Sequence, residues 1–131
     1  MTDRGAVVIV ENGKVALIRR EKEGRIYYVF PGGKQEAGET IEQCAKREAF
    51  EELGVEVEIR ELLAQVPYNG TQHYFIAKII GGKFGMGQGE EYSSTESGTY
   101  LPVWMETEAL ANVEVIPREV ANAVQKHFGI I

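Results

Sequence analysis

Glu48, Glu51 and Glu52 stand at offsets i, i+3 and i+4. On a helix that spacing puts three carboxylates on one side, about one turn apart. Like charges this close repel, and folding gives no reason for them. A divalent cation turns the repulsion into binding. Hard cations such as Mg2+ and Mn2+ take carboxylate oxygens, and Mg2+ keeps several waters and accepts phosphates as further ligands. The plain alternative is a solvated acidic face, the commoner state of Glu-rich helices. Two features count against it. The acids flank a stripe of mostly small residues, Ile41, Ala45, Ala49 and Leu53, so they lie at the edge of a packed face. They also follow Pro31-Gly32-Gly33, a loop that lets a ligand approach the backbone closely.

The element that must position the acids is a helix, and its ends are marked. Thr40 is a candidate N-cap, with Glu39 and Glu42 near the positive helix start. Gly54 stands where a C-cap glycine belongs. Lys34 to Gly38 forms the loop that presents the helix. Cys44 is the chain's one cysteine, so no disulfide can form within the chain, and its helical position predicts a small core residue.

The segment runs Gly33, five residues, Glu39, seven residues, Arg47-Glu48-Ala49, one residue, Glu51-Glu52, one residue, Gly54-Val55. That pattern resembles the complete signature of the Nudix hydrolases. Ala49 is the one soft departure, where the pattern favours a bulkier aliphatic residue; an alanine lets the helix sit closer to its sheet. The resemblance implies an α/β (α+β) fold, an α/β/α sandwich with a mixed central sheet. It implies Mg2+, with Mn2+ as an alternative, held by Glu48, Glu51 and Glu52 and completed by the Gly33 carbonyl. Glu48 or Glu51 would deprotonate the attacking water. Arg47 would pair with Glu51 at i, i+4 and hold its rotamer. Glu39 would support the loop and helix start, with Gly32 and Gly54 as structural positions. A further acid from a late loop would join them, with Glu90 favoured over Glu91 and Glu96.

The rest of the chain sets the frame. At 131 residues one domain spanning 1–131 is expected. The net charge of −6 disfavours stable nucleic-acid binding, and leaves a small anionic substrate possible once a metal neutralises it locally. No apolar run approaches membrane-span length and no leader opens the chain, so a cytoplasmic protein, monomeric or homodimeric, is the default expectation. Ala6–Val10 and Val15–Ile18 flank Asn12-Gly13 and predict a β-hairpin with a type I′ turn. Arg19 and Arg20 end that second strand, and either could reach a phosphate, as could Lys34. Glu21–Arg25 reads as a loop and Ile26–Phe30 as an aromatic strand. Tyr27 and Tyr28 point to opposite faces, one into the core and the other, Tyr28 in our assignment, available to stack on a base.

Val55–Val66 predicts a long strand bulged near Glu61, followed by a turn at Pro67–Gly70 and an antiparallel strand Gln72–Ile80. His73 is assigned a structural role. Gly81–Gly98 is irregular, Thr99–Met105 a strand, Glu106–Ala111 a short helix, and Pro117–Phe128 a final helix. The expected activity is cleavage of a pyrophosphate linkage in a nucleoside diphosphate derivative, a nucleoside triphosphate being favoured. The alternative is a catalytically silent module that binds or senses a nucleotide.

Overall fold

The computed structural model describes residues 2–85 and 98–128. In chain order the strands are β1 (Arg4–Val8), β2 (Val10–Glu11), β3 (Lys14–Lys22), β4 (Arg25–Val29) and β5 (Gly32–Lys34). The helix α1 (Ile41–Leu53) follows, then β6 (Val55–Pro67), β7 (Thr71–Gly82) and β8 (Thr99–Glu106). A 3₁₀ helix (Thr107–Asn112), β9 (Val115–Ile116) and α2 (Arg118–His127) complete the order.

The strands form two sheets. One has the order β5-β1-β7-β6 and is mixed, because β1 and β7 run parallel while its other pairs are antiparallel. The other runs β2-β3-β4-β9, with β8 also paired to β3. The predicted hairpin is corrected here. Asn12 and Gly13 both have positive φ, as a type I′ turn requires. Yet only Val10–Glu11 pairs with β3, whereas Ala6–Val8 pairs with β5 and β7 in the other sheet. The apolar run crosses between the sheets at Ile9, whose carbonyl accepts from Ala16 N–H at 3.0 Å. The expected loop Glu21–Arg25 is also shorter than predicted. β3 and β4 continue to a two-residue turn at Glu23-Gly24, both with positive φ.

Alternation along β1 and β3 divides the core into two. Ala6, Val8, Val15 and Leu17 pack with Val120, Ala121 and Val124 of α2. Val7, Ile9, Ala16 and Ile18 pack with Ala45, Ala49 and Leu53 of α1. Helices therefore cover opposite faces, giving the α/β/α sandwich, with each fully buried aliphatic side chain contributing about 1.5–3 kcal/mol.

α1 begins as the sequence predicts. The Thr40 hydroxyl accepts from Gln43 N–H, and the Gln43 side chain accepts in return from Thr40 N–H, a capping box. The helix ends at Gly54, in the left-handed conformation with φ 81°. Ala45 and Ala49 are fully buried, and β1 meets them at Gly5. A Cβ on Gly5 would stand 2.8 Å from the Ile41 carbonyl oxygen and 2.9 Å from the Ala45 nitrogen, both immovable backbone atoms. The small residues let α1 sit close on its sheet, which fixes the height of the acid row above the sheet. β6 is bulged between Ile59 and Glu61 and again between Leu62 and Ala64. Replacing Gly5 with Ala is expected to cost about 1–3 kcal/mol, as overpacking does. Urea denaturation would read this as a lower midpoint; an unchanged midpoint would contradict the close approach.

Candidate active site

α1, β5 and the β3–β8 pair enclose one cleft. Its volume is about 590 Å³, and its described lining includes Arg4, Arg20, Lys34 and Arg47 with Glu36, Glu48, Glu51 and Glu52. Four cations thus face four carboxylates in a chain that is acidic overall. Glu48 and Glu52 are buried, at 7% and 8% exposure, whereas the Glu51 side chain is 42% exposed. The helix spacing produces that gradient, because Glu48 and Glu52 share the edge of the packed stripe and Glu51 is turned outward.

Each carboxylate is oriented by a particular donor. Gly32 N–H donates to Glu52 Oε1 at 2.9 Å. Arg47 Nη1 donates to Glu48 Oε2 at 2.8 Å and to Glu51 Oε1 at 3.2 Å. The predicted i, i+4 pair is therefore present, but it is one contact among several. Arg47 Nε and Nη2 grip both oxygens of Glu39 at 2.9 Å each, and Nη2 also donates to the Lys34 carbonyl at 2.9 Å. Glu39 Oε1 accepts in addition from Glu36 N–H at 2.9 Å. The Arg47 guanidinium and the Glu36 amide hold the Glu39 carboxyl down at about 2, far below its ordinary 4.5. Glu39 first, and then Glu48, push Arg47 further up in return. Glu39 is thus bonded both to the loop, at the Glu36 amide, and to α1, at Arg47.

Gly33 sets where Glu48 can stand. A Cβ there would lie 2.4 Å from the Glu48 carboxylate, so any other residue would push that carboxylate from its place. The Gly33 carbonyl accepts a weak bond from Cys44 Sγ at 3.3 Å. Cys44 is fully buried, and burial pushes its thiol up to about 11, which suits a core residue.

Strand alternation separates the two arginines. Arg20 lines the cleft and lies over the Tyr100 ring, 3.8 Å from its centroid. Arg19 is not among the described lining residues; its Nη1 pairs with Glu21 Oε1 at 3.4 Å. Tyr28 also departs from its assignment. It packs on the core beside α2, because it shares the face of Arg19 and not that of Arg20. Lys34 lines the cleft, while Glu90, Glu91 and Glu96 lie outside the described residues. His73 bonds Asp3 Oδ2 at 3.1 Å and Gln65 at 3.2 Å, a structural tie. The sequence reading missed Arg4, Gln72, Tyr74 and Tyr100 as lining residues. Tyr100 comes to the cleft by pairing with Arg20 across β3 and β8. Gln72 and Tyr74 carried a usable signal, being two residues apart on one strand and hence on one face.

Among the described residues no three acidic, His or Cys side chains close into a metal cage. Mg2+ is usually held by one or two carboxylates, waters and substrate phosphates, not by an all-protein cage. A row of Glu48, Glu51 and Glu52 at the cleft floor is a donor set of that kind, and the Gly33 cradle keeps Glu48 against the loop.

Comparison with known proteins agrees with this geometry. The NUDIX domain model matches residues 1–124, and the chain belongs to the Nudix hydrolase family. It is 31% identical over 110 residues to a putative 8-oxo-dGTP diphosphatase of Bacillus subtilis, covering 80% of this chain and 73% of that protein. It is 43% identical over 60 residues to the mouse nucleoside diphosphate-linked moiety X motif 6, covering 46% of this chain and 19% of that protein. The chain spans only 19%, 32% and 28% of three such curated relatives. In fold it is similar to a Nudix hydrolase from Nitrosomonas europaea, with a TM-score of 0.75 at 20% identity over 97% of this chain and 88% of that one. The E. coli ORF135 protein gives 0.70 at 23% identity over 99% and 92%. Among the described residues no helix is long and apolar enough to cross a membrane.

The Glu39–Arg47 grip has a pH signature. A carboxyl held at about 2 in the folded chain, against an ordinary 4.5, stabilises the fold fully above about pH 4.5. That contribution disappears as pH falls through 2. Glu39→Gln should therefore melt below wild type at pH 6 to 7, and the two should converge between pH 4.5 and 2. A melting gap that stayed constant with pH would contradict the ion pair.

Proposed function

We propose that this chain is a Mg2+-dependent hydrolase that cleaves a pyrophosphate linkage in a nucleoside diphosphate derivative, with nucleoside triphosphate-like substrates favoured. The observation that carries the reading is the pair of buried carboxylates, Glu48 and Glu52, in a cleft that also gathers the cations Arg4, Arg20, Lys34 and Arg47. The relatives named for nucleoside diphosphate-linked moiety X and for 8-oxo-dGTP support the substrate class.

A pyrophosphate resists water because its negative oxygens repel the nucleophile, so the site must neutralise charge, orient water and take a proton. Glu48, Glu51 and Glu52, with the Gly33 carbonyl, would hold Mg2+, which when bound neutralises phosphate charge and acidifies a water ligand. Arg20 and Lys34 face the remaining phosphate charge from the other walls. Glu51, the most exposed of the three acids, can accept the proton of the attacking water, with Glu48 as the second candidate. Arg47 positions both carboxylates by donating to Glu48 Oε2 and Glu51 Oε1. Mn2+ offers the same hard-ion chemistry.

With Mg2+ present, the protein is expected to hydrolyse at least one compound among nucleoside triphosphates, ADP-ribose, diadenosine polyphosphates and nucleotide sugars. Glu52→Gln should lower kcat by at least about a hundredfold, the scale of losing one charge-stabilising group. Its Tm should be unchanged or higher, because removing a buried charge relieves desolvation. Loss of folding together with activity would make Glu52 structural and contradict the assignment.

A further inference from the structure

The cleft has a second end. Glu48 and Glu52 lie under β5, while Gln72 lies on β7, two strands away in the order β5-β1-β7. At the usual spacing of about 4.8 Å per strand that is roughly 10 Å across the sheet. Arg4 stands between them, paired with Lys34 on one side and Gln72 on the other.

This end is built differently from the acid end. Tyr74 is buried at 6% exposure and packs edge-on against Phe30, with ring centroids 5.7 Å apart. Its hydroxyl donates to Gln72 Oε1 at 2.7 Å. Burial pushes the phenol up to about 12, so it keeps its proton and stays a donor. With Oε1 engaged by Tyr74, the amide presents its Nε2 hydrogens, and Arg4 alongside is also a pure donor. Across the gap Ile116 and Pro117 form an apolar jaw, and Ile116 is left 40% exposed. Glu119 carries opposite charge near the Tyr74 phenol, but it is not among the described lining residues. A slot with aromatic and aliphatic walls and two adjacent donors fits a planar heterocycle with two adjacent acceptors on one edge.

We propose that Gln72, oriented by Tyr74 and assisted by Arg4, selects the base of the nucleotide, favouring an edge with two neighbouring acceptors. Guanine offers O6 and N7, and cytosine offers N3 and O2. Adenine places a donor beside its acceptor, and uracil sets an N–H between its carbonyls, so both leave a donor of the site facing a donor. The discrimination comes mainly from that unpaired clash. The inference rests on the nucleotide reading of the cleft and names what the site recognises beyond the phosphates.

The test is binding of GMP, CMP, AMP and UMP without metal, followed by NMR titration of the intact chain. Wild type is expected to bind GMP, CMP or both about tenfold tighter than AMP and UMP, the scale of one good base-edge pair. GMP against CMP distinguishes the two sources of the same edge. Gln72→Leu should erase the preference by weakening GMP and CMP and tightening AMP and UMP, because it removes the donor that adenine and uracil leave unpaired. Gln72→Glu, which turns the presented donor into an acceptor, should shift preference towards AMP. Equal affinity for all four bases in wild type would overturn the proposal. So would a Gln72→Leu variant that weakens all four equally, as loss of a phosphate contact does. Hydrolysis of triphosphates without base preference would sink this inference and leave the hydrolase reading intact. Base-selective binding with no turnover across the substrate panel would do the reverse.

Discussion

One guanidinium organises the acid end of the molecule. Arg47 spends its donors on both oxygens of Glu39, on Glu48, on Glu51 and on the Lys34 carbonyl. The planar fork of arginine suits this, because it meets a carboxylate with two parallel bonds while the rest of the group faces elsewhere. A lysine would supply the charge and lose the geometry. Through this one side chain α1 is tied to the loop before it, and carboxylates that would repel one another share a common cation. Such a network is a weak argument for stability, since taking the charges out of water offsets much of their attraction. Its value lies in fixing where the carboxylates stand.

The same economy runs through the backbone around it. Gly5 brings α1 down onto β1, Gly33 leaves room for the Glu48 carboxylate, and the Gly32 amide fixes Glu52. Each is a contact in which a side chain or a lost N–H would displace an acid. Two glutamates held below a tenth exposed would be costly residues in a domain that needed them only to fold. Their burial, the bond of Glu52 to the Gly32 amide and their place on a cleft wall support reading them as a cation site.

What the sequence made legible was local. Thr40, the four-residue stripe and Gly54 define α1 from its own residues, and the acid row follows from helix geometry alone. The Glu61 bulge and the turn at Asn69-Gly70 were readable for the same reason. What was not legible depended on partners far along the chain. Alternation says that Arg19 and Arg20 face opposite ways, but only the pairing with β8 and the two-sheet arrangement decide that Arg20 faces the cleft. Tyr28 follows Arg19 to the other face by the register of β3 with β4. Ala6–Val10 looked like one arm of a hairpin because an apolar run carries no mark of the sheet it joins. Arg4, Gln72 and Tyr74 come together only through the parallel pairing of β1 with β7, strands more than sixty residues apart.

The central claim is that the acid row of α1 serves a hard cation, and paramagnetic relaxation by Mn2+ tests it most directly. On addition of Mn2+ to the labelled protein, amide signals of residues 32–34 and 47–52 should broaden first, and excess Mg2+ should restore them. If those signals stayed sharp while others broadened, or if Mg2+ failed to compete, the carboxylates of Glu48, Glu51 and Glu52 would not be a metal site and the account would be wrong.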